Sequence, residues 1–146
     1  MTDTIFYVYS DGSTMLDKGV AVSCILTDNY FINKLITKYT TPIISTELEY
    51  LSVVQALKYL DLSKFRIDGV ICYTDCKILL RYKKRFQESI SFSMEKVTLK
   101  HLPAHKQKFN MNSLCDMLAY LHLIDLQVGQ YFSKRVKCGT VTSAQS

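Results

Sequence analysis

The 146-residue chain has no tryptophan, only two prolines and only five glycines. With so little Gly and Pro, no stretch has the composition of a flexible linker before the small, polar C-terminus. No apolar run approaches the ~20 residues of a membrane-spanning helix, and nothing after Met1 resembles a secretory leader. A soluble, cytoplasmic protein with no membrane partner is expected. There is no internal repeat and no low-complexity segment. Zinc-ligand spacing is missing too. Cys24, Cys72, Cys76, Cys115 and Cys138 are odd in number, Cys72 and Cys76 flank three residues, and no second pair follows. They read as small core residues of a reducing compartment. The formal charge of +5 suits a polyanionic partner without demanding one. The length is enough for one domain with a real core, expected over residues 1–136, with 137–146 as a flexible tail.

What is present is a set of apolar runs that end in acids. Ile5-Phe6-Tyr7-Val8-Tyr9 leads into Ser10-Asp11-Gly12-Ser13, which predicts a buried strand, a carboxylate at its end and a tight turn. Gly12 lets the chain turn and a ligand approach closely. Gly19–Thr27 and Tyr30–Tyr39 predict two more strands, joined by the turn signal Asp28-Asn29 in an antiparallel meander. After Pro42, Ser45-Thr46 supplies an N-cap signal for a helix from Glu47 to Leu60. Ile67–Thr74 predicts a fourth strand, ending in Asp75. Lys77–Phe86 predicts a helix with a basic end, Arg81, Lys83, Lys84 and Arg85. Val97–Leu102 predicts a fifth strand. A polar loop containing His105 follows, then a last helix capped by Asn112 or Ser113 and running to about Phe132. The order β-β-β-α-β-α-β-α implies a five-stranded mixed α/β sheet, three antiparallel strands then two parallel, flanked by helices. In open sheets of this kind sites form at the carboxyl ends of strands.

Four carboxylates stand where they can converge. Asp11 and Asp75 are expected at strand ends. Glu49 shares a helix face with Val53, Ala56 and Leu60, whereas Glu47 points away. Asp116 lies early in the last helix. Each has a plain structural explanation. Asp11 can be an ordinary turn residue, Glu49 can close a capping box with Thr46, and Asp116 can answer the helix dipole. His105 alone is an unremarkable loop histidine, and the basic run alone is a solvated helix end. Taken together, four clustered acids require divalent cations, and hard oxygen ligands favour Mg2+ or Mn2+.

At this point the chain resembles the type I ribonuclease H family, from about Ile5 to Tyr120. The resemblance is carried by Tyr9-Ser10-Asp11-Gly12-Ser13, Glu49-Tyr50-Leu51-Ser52-Val53-Val54-Gln55-Ala56-Leu57, Tyr73-Thr74-Asp75, Leu102-Pro103-Ala104-His105 and Asn112-Ser113-Leu114-Cys115-Asp116-Met117-Leu118-Ala119. It implies a ribonuclease H-like fold and a monomeric endonuclease that cuts the RNA strand of RNA–DNA hybrids, leaving a 5′-phosphate. It implies two Mg2+ ions on Asp11, Glu49, Asp75 and Asp116, with His105 assisting proton transfer or product release. It further implies substrate contacts from Gly12, Ser13, Ser45, Cys76 and Asn112. The chain departs from the pattern in its short first hairpin, in Ser45 and Thr46 where larger members often carry asparagines, and in having no room for an extra basic helix between Asp75 and His105. The same fold and acids also serve DNA nucleases such as junction resolvases, and a non-catalytic nucleic-acid-binding module would keep them by descent.

Overall fold

The computed structural model describes residues 3–15, 17–28 and 31–102. Alternating apolar residues make five strands: β1 (Ile5–Met15), β2 (Lys18–Leu26), β3 (Phe31–Tyr39), β4 (Gly69–Thr74) and β5 (Val97–His101). They form one sheet in the order β3-β2-β1-β4-β5. β1 pairs antiparallel with β2 and β2 with β3, whereas β4 runs parallel to β1 and β5 parallel to β4. The expected mixed sheet is therefore the observed one. The reversal of neighbours falls at β1, which is antiparallel on one side and parallel on the other.

One helix dominates the first face of this sheet. α1 (Ser45–Leu62) lies across β1 and β2. The side chains of Phe6, Val8, Ile25, Val70, Cys72 and Val97 meet Val53, Ala56, Leu57 and Leu60 in a single core. The Glu49, Val53, Ala56 and Leu60 column is buried as its spacing predicts. Burial also pushes the Cys72 thiol up to about 12, so it is held as a neutral core group. Cys24, on β2, is likewise buried. On the other face, the register partners Tyr9 and Tyr73 stack with ring centroids 4.7 Å apart.

Three local expectations are corrected. Asp11-Gly12-Ser13 is not a turn: β1 continues through it, with Asp11 opposite Val22, Gly12 opposite Ala21 and Ser13 opposite Val20. The glycine answers a close approach instead. A Cβ on Gly12 would stand 2.8 Å from Leu48 Cγ of α1. What does end near Asp11 is the parallel ladder with β4, whose last β1 partner is Tyr9.

Secondly, Ser45 and Thr46 do not cap α1. The helix already includes them, its N-cap is Ile44 without a side-chain cap bond, and the Leu48 amide donates to Ile44 O at 3.0 Å. Thirdly, Lys77–Phe86 is not one helix. A 3-10 turn over Lys77–Arg81 gives way at Tyr82 to the short helix α2 (Lys83–Gln87). The path is set by tertiary contacts around Tyr50: Phe86 stacks on its ring at 4.8 Å and Tyr82 meets it edge-on at 6.0 Å. A second 3-10 turn, Met94–Lys96, leads into β5. The expected last helix and the tail lie outside the described residues. No helix among the described residues is long and apolar enough to cross a membrane.

Candidate metal centre

Three of the four acids meet. β1 supplies Asp11, α1 supplies Glu49 from its second turn, and the residue after β4 supplies Asp75. One carboxylate oxygen from each lies within 4.8 Å of the others. Topology makes this possible, because β1 and β4 are adjacent and parallel and α1 crosses over them. Asp11 is 2% exposed and Glu49 7%, while Asp75 is half-buried. The site is thus a cluster of two buried carboxylates and one half-buried one.

Glu49 is turned towards β1 by the backbone. The Gly12 amide donates to Asp11 Oδ1 at 2.9 Å and to Glu49 Oε1 at 3.3 Å. The capping-box alternative is excluded, because the Glu49 carboxylate is engaged with Gly12 and not with the start of its own helix. Glu49 Oε2 is buried with no hydrogen-bond partner among the described residues. Burial pushes the Glu49 carboxyl from 4.5 up to about 8, the charge of Asp75 adds to this, and the contacts with Asp11 and the Gly12 amide oppose it. A carboxyl raised by burial and a second acid is a group whose ionised form a cation would favour. Hard oxygen donors of this kind fit Mg2+ or Mn2+.

The other predicted residues fall as follows. Gly12 joins the site through its amide. Ser13 is half-buried in β1, two residues beyond Asp11. Ser45 is exposed at the first position of α1, one helical turn before Glu49. Cys76 follows Asp75, half-buried, its amide donating to Thr74 Oγ1 at 3.1 Å. His105, Asn112 and Asp116 lie outside the described residues. The basic run is partly committed elsewhere. Arg85 pairs with Glu47 at 2.6 Å, and its guanidinium lies 3.7 Å from the centre of the Tyr50 ring. Glu47 and Glu49 therefore do face different partners.

Two features escape a reading by motif. One is the contact of Leu48 with Gly12, which needs the helix placed over the strand. The other is the polar pair Ser52 and Gln55 on the sheet-facing side of α1. Their spacing is the signal, since Ser52 stands three residues from Glu49 and Gln55 three from Ser52, which makes each the neighbour of the one before.

No protein-family model and no curated protein matches the sequence. Solved structures do match the fold. RNase H1 from the halophilic archaeon Halobacterium salinarum NRC-1 superimposes with a TM-score of 0.64 at 13% identity, covering 83% of this chain and 98% of that one. LC11-RNase H1, in complex with an RNA/DNA hybrid, gives 0.65 at 14% identity, covering 84% and 99%. The N-terminal RNase H domain of a Mycobacterium tuberculosis protein gives 0.64 at 10% identity, covering 86% and 98%. The chain has the ribonuclease H fold, with strand order and mixed pairing as that resemblance implies.

Proposed function

We propose that this protein is a metal-dependent ribonuclease H, an endonuclease that hydrolyses the RNA strand of RNA–DNA hybrids. The observation that carries the reading is the meeting of Asp11, Glu49 and Asp75 in one cluster of this fold. Fold alone does not specify chemistry, so the site bears the argument. The hybrid bound by LC11-RNase H1 supports the substrate class.

In this reading Asp11, Glu49 and Asp75, joined by Asp116, hold two Mg2+ or Mn2+ ions. Such ions, when bound between carboxylates and a phosphate, activate water and stabilise the leaving oxygen. The chain's own part is to orient the carboxylates. The Gly12 amide fixes one Glu49 oxygen and leaves the other for a ligand. His105 would assist proton transfer or product release. Exposed Ser45, one turn from Glu49, would meet the hybrid's minor groove, with Gly12, Ser13, Cys76 and Asn112 lining the path. A monomer suffices for this arrangement.

The test is cleavage of labelled hybrid, duplex DNA and four-way junction by the same preparation in Mg2+. Hybrid alone should be cut, leaving 5′-phosphates. Asp11→Asn should drop cleavage to background while hybrid binding persists, because the residue holds metal and not substrate. Preferential cutting of junctions would replace this reading by a resolvase. Binding without cleavage of any substrate would leave a nucleic-acid-binding module.

A further inference from the structure

A chain of buried and part-buried hydrogen bonds runs from the backbone of Glu49 to the β3 edge of the sheet. Ser52 Oγ donates to Glu49 O at 2.7 Å. Ser23 Oγ, on β2, donates to Ser52 O. The Gln55 amide then joins helix to sheet. Its Nε2 donates to Ser23 Oγ at 2.8 Å and reaches Ala21 O at 3.2 Å and Leu35 O at 3.3 Å. Its Oε1 accepts from Thr37 Oγ1 at 2.5 Å, so the chain ends on the edge strand β3. Ser23 and Ser52 are both fully buried.

This polar seam is out of place for its position. The rest of α1 meets the sheet through Val53, Ala56, Leu57 and Leu60. Apolar contact is non-directional and tolerates repacking. Hydrogen bonds hold their partners to a narrow range of distance and angle. A slip of one residue moves a helix by ~1.5 Å along its axis and turns it by about 100°. Either displacement would carry Glu49 out of reach of Asp11 and Asp75, whose oxygens now lie within 4.8 Å of its own. The Ser52 hydroxyl bonds within α1, so the contacts that cross to the sheet are those of the Ser23 hydroxyl and the Gln55 amide.

We propose that Ser23 and Gln55 are positioning residues: they lock α1 in register and rotation against β2 and β3, and so hold the Glu49 carboxylate beside Asp11 and Asp75. The metal arm of the test rests on the carboxylates being a metal site, and the other arm does not. The positioning is read in metal-free protein from the backbone resonance of Gly12, whose amide donates to Glu49 Oε1. Metal uptake is read from Mn2+ line broadening.

The variants are Gln55→Leu and Ser23→Ala, with Leu60→Ala as a core control in the last turns of α1. In Gln55→Leu and Ser23→Ala the Gly12 resonance should move, and the half-saturating Mn2+ concentration should rise about tenfold, as for other residues that orient metal ligands. Leu60→Ala should lower the melting temperature at least as much and leave both readouts in place. The proposal is overturned if Gly12 is unmoved in the two polar variants, or if Leu60→Ala moves it equally. If Gln55→Leu does not fold, Ser23→Ala, which loses one hydroxyl, decides the matter. Wild type that takes up no Mn2+ while the Gly12 resonance responds as expected refutes the metal centre and supports the positioning role.

Discussion

At Glu49 a single oxygen ties stability to pH. Its carboxyl is lifted from 4.5 to about 8 in the folded, metal-free protein, chiefly by burial. A group whose folded pKa is raised binds its proton more tightly in the native state. Its contribution is therefore complete below the unfolded value of about 4.5 and is lost as pH rises through about 8. In chelator, the melting temperature should fall across that window. Glu49→Gln should flatten the fall and melt higher than wild type at the alkaline end. Mg2+ should act in the opposite sense, because it takes the ionised carboxylates and binds the folded state alone. Thermal melts of both proteins, with chelator and with Mg2+, check this. A wild type that gains nothing from Mg2+ near pH 8 would contradict a shared site. At Gly12 the expectation is steric. Gly12→Ala brings a methyl to 2.8 Å from Leu48 Cγ, and Leu48 is fully buried. Overpacking of this sort costs about 1–3 kcal/mol, measurable by denaturant unfolding. The residue matters for how closely α1 lies on β1.

Among elements, the segment between β4 and β5 illustrates how local signals and packing divide the outcome. Its run of cations looks like a grip for phosphate, yet Arg85 is drawn onto Glu47 and Tyr50 of α1. Lys83 and Lys84 are exposed on the same short helix. Charge reversal at Lys83 and Lys84 should raise KM for hybrid and reduce the salt dependence of binding, with little change in kcat. Arg85→Lys should loosen the segment, since an ammonium does not reproduce a planar stack on Tyr50. Limited proteolysis between β4 and β5 reads that loosening. The strands and α1 were legible in the sequence because their apolar period is strong and their lengths ordinary. So was the Glu49 face, which follows from helical geometry alone. The Asp11-Gly12-Ser13 stretch was misread as a turn because composition records conformational freedom and not the neighbour that exploits it. The single helix expected over Lys77–Phe86 failed similarly. Leu79 and Phe86 are both buried and Tyr82 lies against Tyr50, so a distant ring set the path of the backbone. Convergence of Asp11, Glu49 and Asp75 could be proposed from spacing, but the hydrogen bonds from Gly12 that orient Glu49 depend on strand register.

For the molecule as a whole, one core serves both stability and the site. The helix that buries most of the apolar face also carries a candidate metal ligand, so opening the core and dismantling the site are one event. Occupancy of the carboxylate cluster should then raise the melting temperature of the entire domain in proportion to the logarithm of Mg2+ concentration once the site is saturated. A buried thiol gives that coupling an internal clock. Cys72 sits on β4 beside Val8 of β1, and burial pushes its thiol up to about 12. An alkylating reagent meets it as a thiolate only when the sheet parts. Half-buried Cys76 gives a reference rate within the same molecule. Peptide-resolved labelling of Cys72 relative to Cys76 would therefore count the excursions in which the carboxylates separate, and added Mg2+ would slow that count without any substrate present.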